Sequence, residues 1–213
     1  MNIPTGVFPY IHTPVPSISV IMPTIRTHLL QNWYDSLVES CQDVPFEVVC
    51  CGPFEPPKSL MEKENFIWIK SFASPTVCAQ LCALRARGTY LLHSVDDAIY
   101  LPNAVAEEYR KNFNIKGMAY REGQDYSGNT MPKGYWSCGS AYSGWPMIEN
   151  HWCHCVHFMM PSLLFELFGG FDCQYDYLNH ATHDLLFRLQ AERYEMVMSD
   201  QDVTNCSWQP ERT

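Results

Sequence analysis

The run from Gly88 to Pro102, Gly-Thr-Tyr-Leu-Leu-His-Ser-Val-Asp-Asp-Ala-Ile-Tyr-Leu-Pro, constrains the fold more than any other stretch of the chain. Thr89 to Leu92 carries no charge and mixes β-branched, aromatic and aliphatic side chains, as a central strand covered on both faces does. Asp96 and Asp97 then arrive at the carboxyl edge of that strand, where open α/β sheets bind their ligands. Two adjacent carboxylates repel, a divalent cation between them relieves the repulsion, and hard oxygen donors suit magnesium or manganese. The same dipeptide also fits a solvated Asp-Asp turn capping a helix that begins near Leu101. Taken alone, the pair does not choose between the two.

The stretches on either side extend the pattern. Ile18 to Met22 is a short apolar run ending in Pro23-Thr24, after which Leu29, Leu30, Trp33, Tyr34 and Leu37 recur at helical spacing. Phe46 to Cys50 reads as a second buried strand stopped by Gly52-Pro53, and Phe66 to Ile69 as a third. Pro75 opens a helix that carries Val77, Leu81 and Leu84 towards Gly88. Strands alternating with helices require crossover connections, so the expectation is an α/β fold with a mainly parallel central sheet flanked by helices. Residues 1–16 are proline-rich and aperiodic and read as an extended arm; 17–213 read as one domain.

In the second half, the spacing predicts a helix over 101–112 and a strand over 118–121. From Glu122 to Asn150 the pattern dissolves into Gly, Ser, Pro, Tyr and Trp, a length of irregular chain that compact domains usually reserve for function. With Trp136, Trp145 and Trp152 in or beside it, this segment reads as a lid or acceptor loop; the alternative is that the tryptophans plug it onto the core. A strand over 156–160, a helix over 161–168 and a Gly169-Gly170-Phe171-Asp172 turn follow. A helix over 182–193 then buries Leu185, Leu186 and Leu189 and sets Asp184 and Arg188 four residues apart near its start. A strand over 195–204 ends the pattern.

Composition narrows the function. Fourteen Lys and Arg against 23 Asp and Glu give a net charge of −9, which repels nucleic acid. No uncharged apolar run is long enough to span a membrane, and Met-Asn-Ile-Pro at the start lacks the basic and apolar regions of a secretory signal. The ten cysteines sit largely in apolar runs, as reduced thiols of a cytoplasmic protein do. His151, Cys153, His154, Cys155 and His157 crowd together, but a strand would send alternate members to opposite faces, and zinc sites draw spaced pairs from separate elements. No cation flanks Cys153 or Cys155 to activate a thiol nucleophile.

Taken as an ordered set, Pro23-Thr24-x-Arg26 after the first strand, Asp96-Asp97 after the fourth, Gly169-Gly170-Phe171-Asp172, and Asp184-Leu185-x-x-Arg188-Leu189 resemble the family 2 glycosyltransferases of the GT-A fold. The resemblance covers most of residues 17–200 and implies a single GT-A-like domain, with 17–100 as the nucleotide-binding half and 101–213 as the acceptor half. It implies a nucleotide-sugar donor, UDP-linked, held by Pro23, Thr24, Arg26, Gly52, Ser74, Gln80 and Asp96. It implies Mn2+ or Mg2+ at Asp97 and Asp96, with Asn205 where a late histidine is usual. Asp184 falls in the helix motif that supplies the catalytic base, with His183 as its rival or assistant. The implied reaction is metal-dependent transfer with inversion to a hydroxyl of a glycan or glycoprotein.

The chain departs from the family pattern at several of these positions. Val95 replaces the first acid of the metal motif, Cys50-Cys51-Gly52 stands where an Asp often contacts the base, and Ala181-Thr182-His183-Asp184 replaces a Glu-Asp pair. The thiol-rich, signal-free chain suits a cytoplasmic or viral enzyme, such as a large-DNA-virus transferase acting on capsid glycans in the host cytoplasm. Two other readings stay open: a non-catalytic carbohydrate- or nucleotide-sugar-binding module on the same fold, and a nucleotidyltransferase. The latter's usual glycine-rich phosphate loop is absent.

Overall fold

The computed structural model describes residues 15–111, 115–117, 120–124, 130–131, 157–194, 196–198 and 204–206. β1 (Ile18–Pro23), β2 (Phe46–Gly52), β3 (Phe66–Lys70) and β4 (Tyr90–His93) are the strands of the first half. Between them lie α1 (Leu30–Cys41), the single turn α2 (Lys58–Met61) and α3 (Pro75–Arg85). They pair in parallel in the order β4-β1-β2-β3, as the alternation predicts. β9 (Phe158–Pro161) pairs antiparallel with β4 and with β6 (Ile115–Gly117), and β10 (Met196–Met198) lies parallel to β6. The result is a seven-stranded sheet in which β9 alone runs against the rest.

Strand periodicity explains the layering. Val20, Met22, Val48, Cys50, Leu92 and Met159 point to one face, where Leu30, Trp33, Tyr34 and Leu37 of α1 and Val105 and Ala106 of α4 (Ala104–Arg110) cover them. Ile21, Val49, Cys51, Leu91, Phe158 and Met160 point to the other. That face is covered by α3, α5 (Ser162–Leu167) and α6 (Leu178–Ala191), through residues that include Cys78, Cys82, Phe165, Leu185 and Leu189. A sheet buried on both faces needs near-continuous apolar strands, and β1 and β2 are buried along almost their whole length. The one carboxylate in β2, Glu47, is met by Ser19 Oγ, the Arg87 backbone N–H and the Arg87 guanidinium at 2.6–2.9 Å.

Several boundaries differ from those the spacing predicts. The helix assigned to 101–112 is shorter, starting at Ala104 after Asn103 at a φ of +64°, and Ala98–Tyr100 ahead of it forms β5, which pairs antiparallel with β11 (Thr204–Cys206). The strand assigned to 195–204 is two short strands in different sheets, β10 in the large one and β11 in a small sheet ordered β5-β11-β7-β8. In that sheet, β7 is Tyr120–Gln124 and β8 is Thr130–Met131. α6 begins at Leu178, so Asp184 lies in its second turn rather than near its start. On α3 the buried face is Thr76, Cys78, Ala79 and Cys82, while Leu84 is exposed and Val77 and Leu81 only half-buried, because thiols rather than leucines meet the sheet. The tryptophans of the irregular segment, and His151 to Cys155, lie outside the described residues; His157 is wholly buried.

Candidate functional site

The carboxyl ends of β1 and β2 and the start of α3 surround a cavity of about 470 Å³. Pro23, Thr24, Ile25 and Arg26 from the loop after β1 line it, together with Cys51, Gly52 and Pro53 from the end of β2. Phe72, Ala73, Pro75 and Cys78 supply the α3 side, Ser94, Val95 and Asp96 the floor, and Leu178 the N-terminus of α6. The walls are largely apolar, with polar groups concentrated at one end, as pockets for organic ligands are.

The loops fit closely. Thr24 N–H donates to the Cys51 carbonyl at 2.9 Å, and a Cβ on Gly52 would lie 1.9 Å from the Thr24 carbonyl oxygen, so the backbone contact needs glycine at that position. Ser74 caps α3 by accepting from Val77 N–H at 3.4 Å, and its neighbours Ala73 and Pro75 place the positive end of that helix on the cavity wall. Phe72 is 81% exposed at the rim and offers an aromatic face to a ligand.

At the polar end, Asp96 is almost wholly buried. One of its oxygens accepts from the Thr24 hydroxyl and the other from Arg26 Nη2. Arg26 forks onto Asp97 as well, with both Nη atoms at 3.3 Å from Asp97 Oδ2. The side chains of Asp96 and Asp97 are 6% and 8% exposed and that of Arg26 is 19% exposed, so the three charges are held with little solvent between them. Burial alone would lower the Arg26 pKa; Asp96 and then Asp97 outweigh it and raise the value. Beneath this turn Ser94 Oγ accepts from Trp33 Nε1 at 3.0 Å and from the Tyr100 hydroxyl at 2.7 Å. Tyr100 in turn lies 3.4 Å from His157 Nδ1, and a buried network of this kind fixes the loop that carries the acids.

Of the site residues named from the sequence, the structure brings Pro23, Thr24, Arg26, Gly52 and Asp96 to one cavity, with Asp97 joined to them through Arg26. Ser74 and Gln80 do other work. Gln80 Oε1 accepts from Phe171 N–H at 2.9 Å and fills the space over Gly170, so it anchors the Gly-Gly-Phe-Asp turn. Gly169 and Gly170 adopt φ of +76° and +68°, which the turn requires.

Asp184 and His183 do not line the cavity. Arg188 Nε donates to Asp184 Oδ2 at 2.8 Å, and the same guanidinium donates to the carbonyls of Phe168 and Gly170, which clamps the turn to α6. His183 is half-buried, and burial, with His180 adding to it, lowers its pKa.

Asn205 is placed by backbone pairing alone. β11 sets it opposite Ile99 and sets Cys206 opposite Ala98, the residue that follows Asp97. Among the described residues no group of three or more His, Cys, Asp or Glu is arranged to hold a metal. The fit for a divalent cation rests on Asp96 and Asp97 converging on one positive group, which the Arg26 guanidinium supplies here.

Sequence reasoning missed Cys78 and Cys82, whose i, i+4 spacing on a helix was the available signal. Their side chains meet Cys51, whose thiol pKa is lowered to about 7: the bond from Cys82 is the largest cause, burial opposes it, and bonds from Cys78 and Ser71 add to it.

No family model and no curated protein matches the sequence. Among solved structures, the chain is similar to residues 1–349 of S. aureus TarS in complex with UDP, at a TM-score of 0.67 and 14% identity over 92% of this chain and 61% of that one. It is similar at the same score and identity to a longer S. aureus TarS structure, of which it covers 37%. A third likeness is to the mannosyltransferase PcManGT from Pyrobaculum calidifontis in complex with GDP-Man and Mn2+, at a TM-score of 0.61 and 14% identity over 94% of this chain and 59% of that one. The chain thus spans about three fifths or less of these proteins. At such identities the likeness establishes architecture, and the architecture is a mixed α/β, GT-A-like fold with a mostly parallel central sheet flanked by helices.

Proposed function

We propose that the chain is a glycosyltransferase that moves a sugar from a nucleotide-diphosphate sugar, UDP-linked in the first instance, to a hydroxyl of a glycan or glycoprotein, viral capsid glycans among the candidates. The observation that carries this reading is the cavity at the carboxyl edge of β1 and β2, with Thr24, Arg26 and Asp96 at its polar end. It has the size and apolar lining to take a nucleoside, and a cation and a helix N-terminus to face a diphosphate. Two of the structures to which the chain is similar are complexes with UDP and with GDP-Man and Mn2+, which supports this reading.

In the proposed reaction the acceptor oxygen attacks the anomeric carbon, its bond to the diphosphate oxygen breaks, and the hydroxyl proton passes to a base. A single displacement of this kind inverts the anomeric centre. Asp97 and Asp96 would hold a divalent cation, which supplies Lewis-acid stabilisation of the leaving diphosphate. Arg26, released from the acid pair, is then placed to neutralise a diphosphate oxygen. Asp184 is the proposed base, with Arg188 fixing the direction of its carboxylate.

The test is to incubate the protein with a panel of UDP- and GDP-sugars and manganese and to measure release of nucleoside diphosphate. Release with one donor, increased by an acceptor glycan, is the expected result; no release from any donor refutes the proposal. The engagement of Asp184 by Arg188 favours, as a second reading, a nucleotide-sugar-binding module. It would show as donor binding without turnover.

A further inference from the structure

We propose that Cys51, Cys78 and Cys82 form a thiol-oxidation site in the wall of the cavity, at which a hydroperoxide oxidises Cys51 and a thiol of α3 closes a disulfide onto it. Cys51 ends the buried part of β2 on the face that α3 covers, and Cys78 and Cys82 stand one helical turn apart on the matching face of α3. All three belong to one packed cluster between β2 and α3, with Cys78 Sγ donating to the Ala73 carbonyl at 3.6 Å and Cys82 Sγ to the Met22 carbonyl at 3.8 Å. Cys51 and Cys78 both line the cavity, so a small reagent has a path to them that does not cross the core.

The neighbouring thiols provide the contrast. Cys50 points to the opposite face of the sheet among aliphatic side chains, where burial raises its pKa well above the ordinary value. Cys41 is likewise buried and its pKa raised. Cys173 is exposed, yet burial of its thiol and the adjacent Asp172 raise its pKa. Cys51 alone among these combines a lowered pKa with partner thiols, the conditions that favour oxidation, while its lack of surface exposure excludes bulky reagents.

The chemistry closes. The Cys51 thiolate attacks one peroxide oxygen and the O–O bond breaks. Hydroxide leaves and takes up a proton to become water, and a sulfenic acid remains. The thiol of Cys78 or Cys82 then attacks that sulfur and expels the hydroxyl as a second water, so two thiols are oxidised and one peroxide is reduced. A disulfide draws its sulfurs to about 2.05 Å, well inside the separation of two thiols in van der Waals contact, and pulls the cavity wall towards α3.

The oxidation stands independently of the proposed function; its effect on nucleotide binding rests on that reading. The experiment treats the reduced protein with stoichiometric hydrogen peroxide, blocks remaining thiols after denaturation, and maps tryptic peptides. The expected product links the peptide 27–58 to the peptide 71–85, and the link is lost in Cys51→Ser and kept in Cys173→Ser. In Cys78→Ser/Cys82→Ser, Cys51 should stop at the sulfenic acid and oxidise onward to sulfinic acid. UDP affinity should fall roughly 10-fold or more on oxidation, the scale of one or two lost contacts, and return with dithiothreitol. A link that survives Cys51→Ser, no link at all, or preferential oxidation of exposed Cys173 overturns the proposal. If the link forms but the reduced protein binds no nucleotide, the oxidation site stands and the functional reading fails.

Discussion

Replacing Arg26 by Ala tests the electrostatics of the site directly. Arg26 is the cation shared by Asp96 and Asp97, and neither acid is more than 8% exposed at its side chain. Removing it leaves two carboxylates side by side with little water to screen them. Breaking a buried ion pair by deleting one partner costs about 3–5 kcal/mol. For a chain of 213 residues that corresponds to a fall in Tm of roughly 6–20 °C, at about 2–4 °C per kcal/mol. A divalent cation placed between the acids should restore much of the loss. In the unaltered protein the same cation must first displace a guanidinium.

Differential scanning fluorimetry without nucleotide, in chelator and in millimolar Mn2+, reads both effects. Manganese should raise the Tm of Arg26→Ala by several times the shift it gives the parent, since stabilisation by mass action is about 2.7 kcal/mol at 100 times the Kd. If Arg26→Ala melts with the parent in chelator, or if manganese shifts both equally, Arg26 is not the counter-ion of the acid pair.

Three further outcomes follow from contacts elsewhere. Asp184→Asn should lower turnover about 100-fold or more with donor affinity nearly unchanged, and His183→Ala should cost far less; a large drop in Tm for Asp184→Asn would instead assign the carboxylate to the clamp on the Gly-Gly-Phe-Asp turn. Glu47→Ala strands Ser19 and Arg87 at the far edge of the sheet and should cost about 3 kcal/mol in urea unfolding while leaving donor affinity within a factor of about two. Burial, with His93 adding to it, holds the His157 pKa down at about 3. Because the unfolded group titrates near 6.5, the stability gained from keeping it neutral is full above that pH and is lost as pH falls, by about 2 kcal/mol at pH 5. His157→Phe should remove that part of the slope, and an unchanged slope between pH 7 and 5 would show that another group carries it.

The first half was legible because local signals and the tertiary arrangement agree there. The largely apolar runs at 18–22, 46–50, 66–69 and 89–92, with Glu47 the one charge among them, became β1 to β4, since a strand buried on both faces is apolar along most of its length. The loop residues Thr24, Arg26, Gly52 and Asp96 were recoverable because they follow those strands. The rest depended on contacts between distant segments. Ala98–Tyr100 is too short to announce itself as a strand and acquires its partner from Thr204–Cys206, about a hundred residues later. The role of Gln80 is set by a turn some ninety residues away. On α3, leucines suggested one buried face and small thiols occupy another, because the close approach of the helix to β2 favours Cys78, Ala79 and Cys82 over larger side chains.

The reversed strand β9 has a consequence for how this chain is made. β4 is hydrogen-bonded to β1 on one side and to β9 on the other, and some seventy residues separate the two partners of the β4–β9 ladder. During synthesis the amino-terminal four strands can therefore pair while the free edge of β4, with Leu91 and Leu92 beside it, waits for residues 158–161 to leave the ribosome. An unpaired apolar edge is a template for pairing with other nascent chains. Long-range closure of this kind slows folding, so yield in expression should depend on temperature and chaperone supply more than on the final stability of the protein.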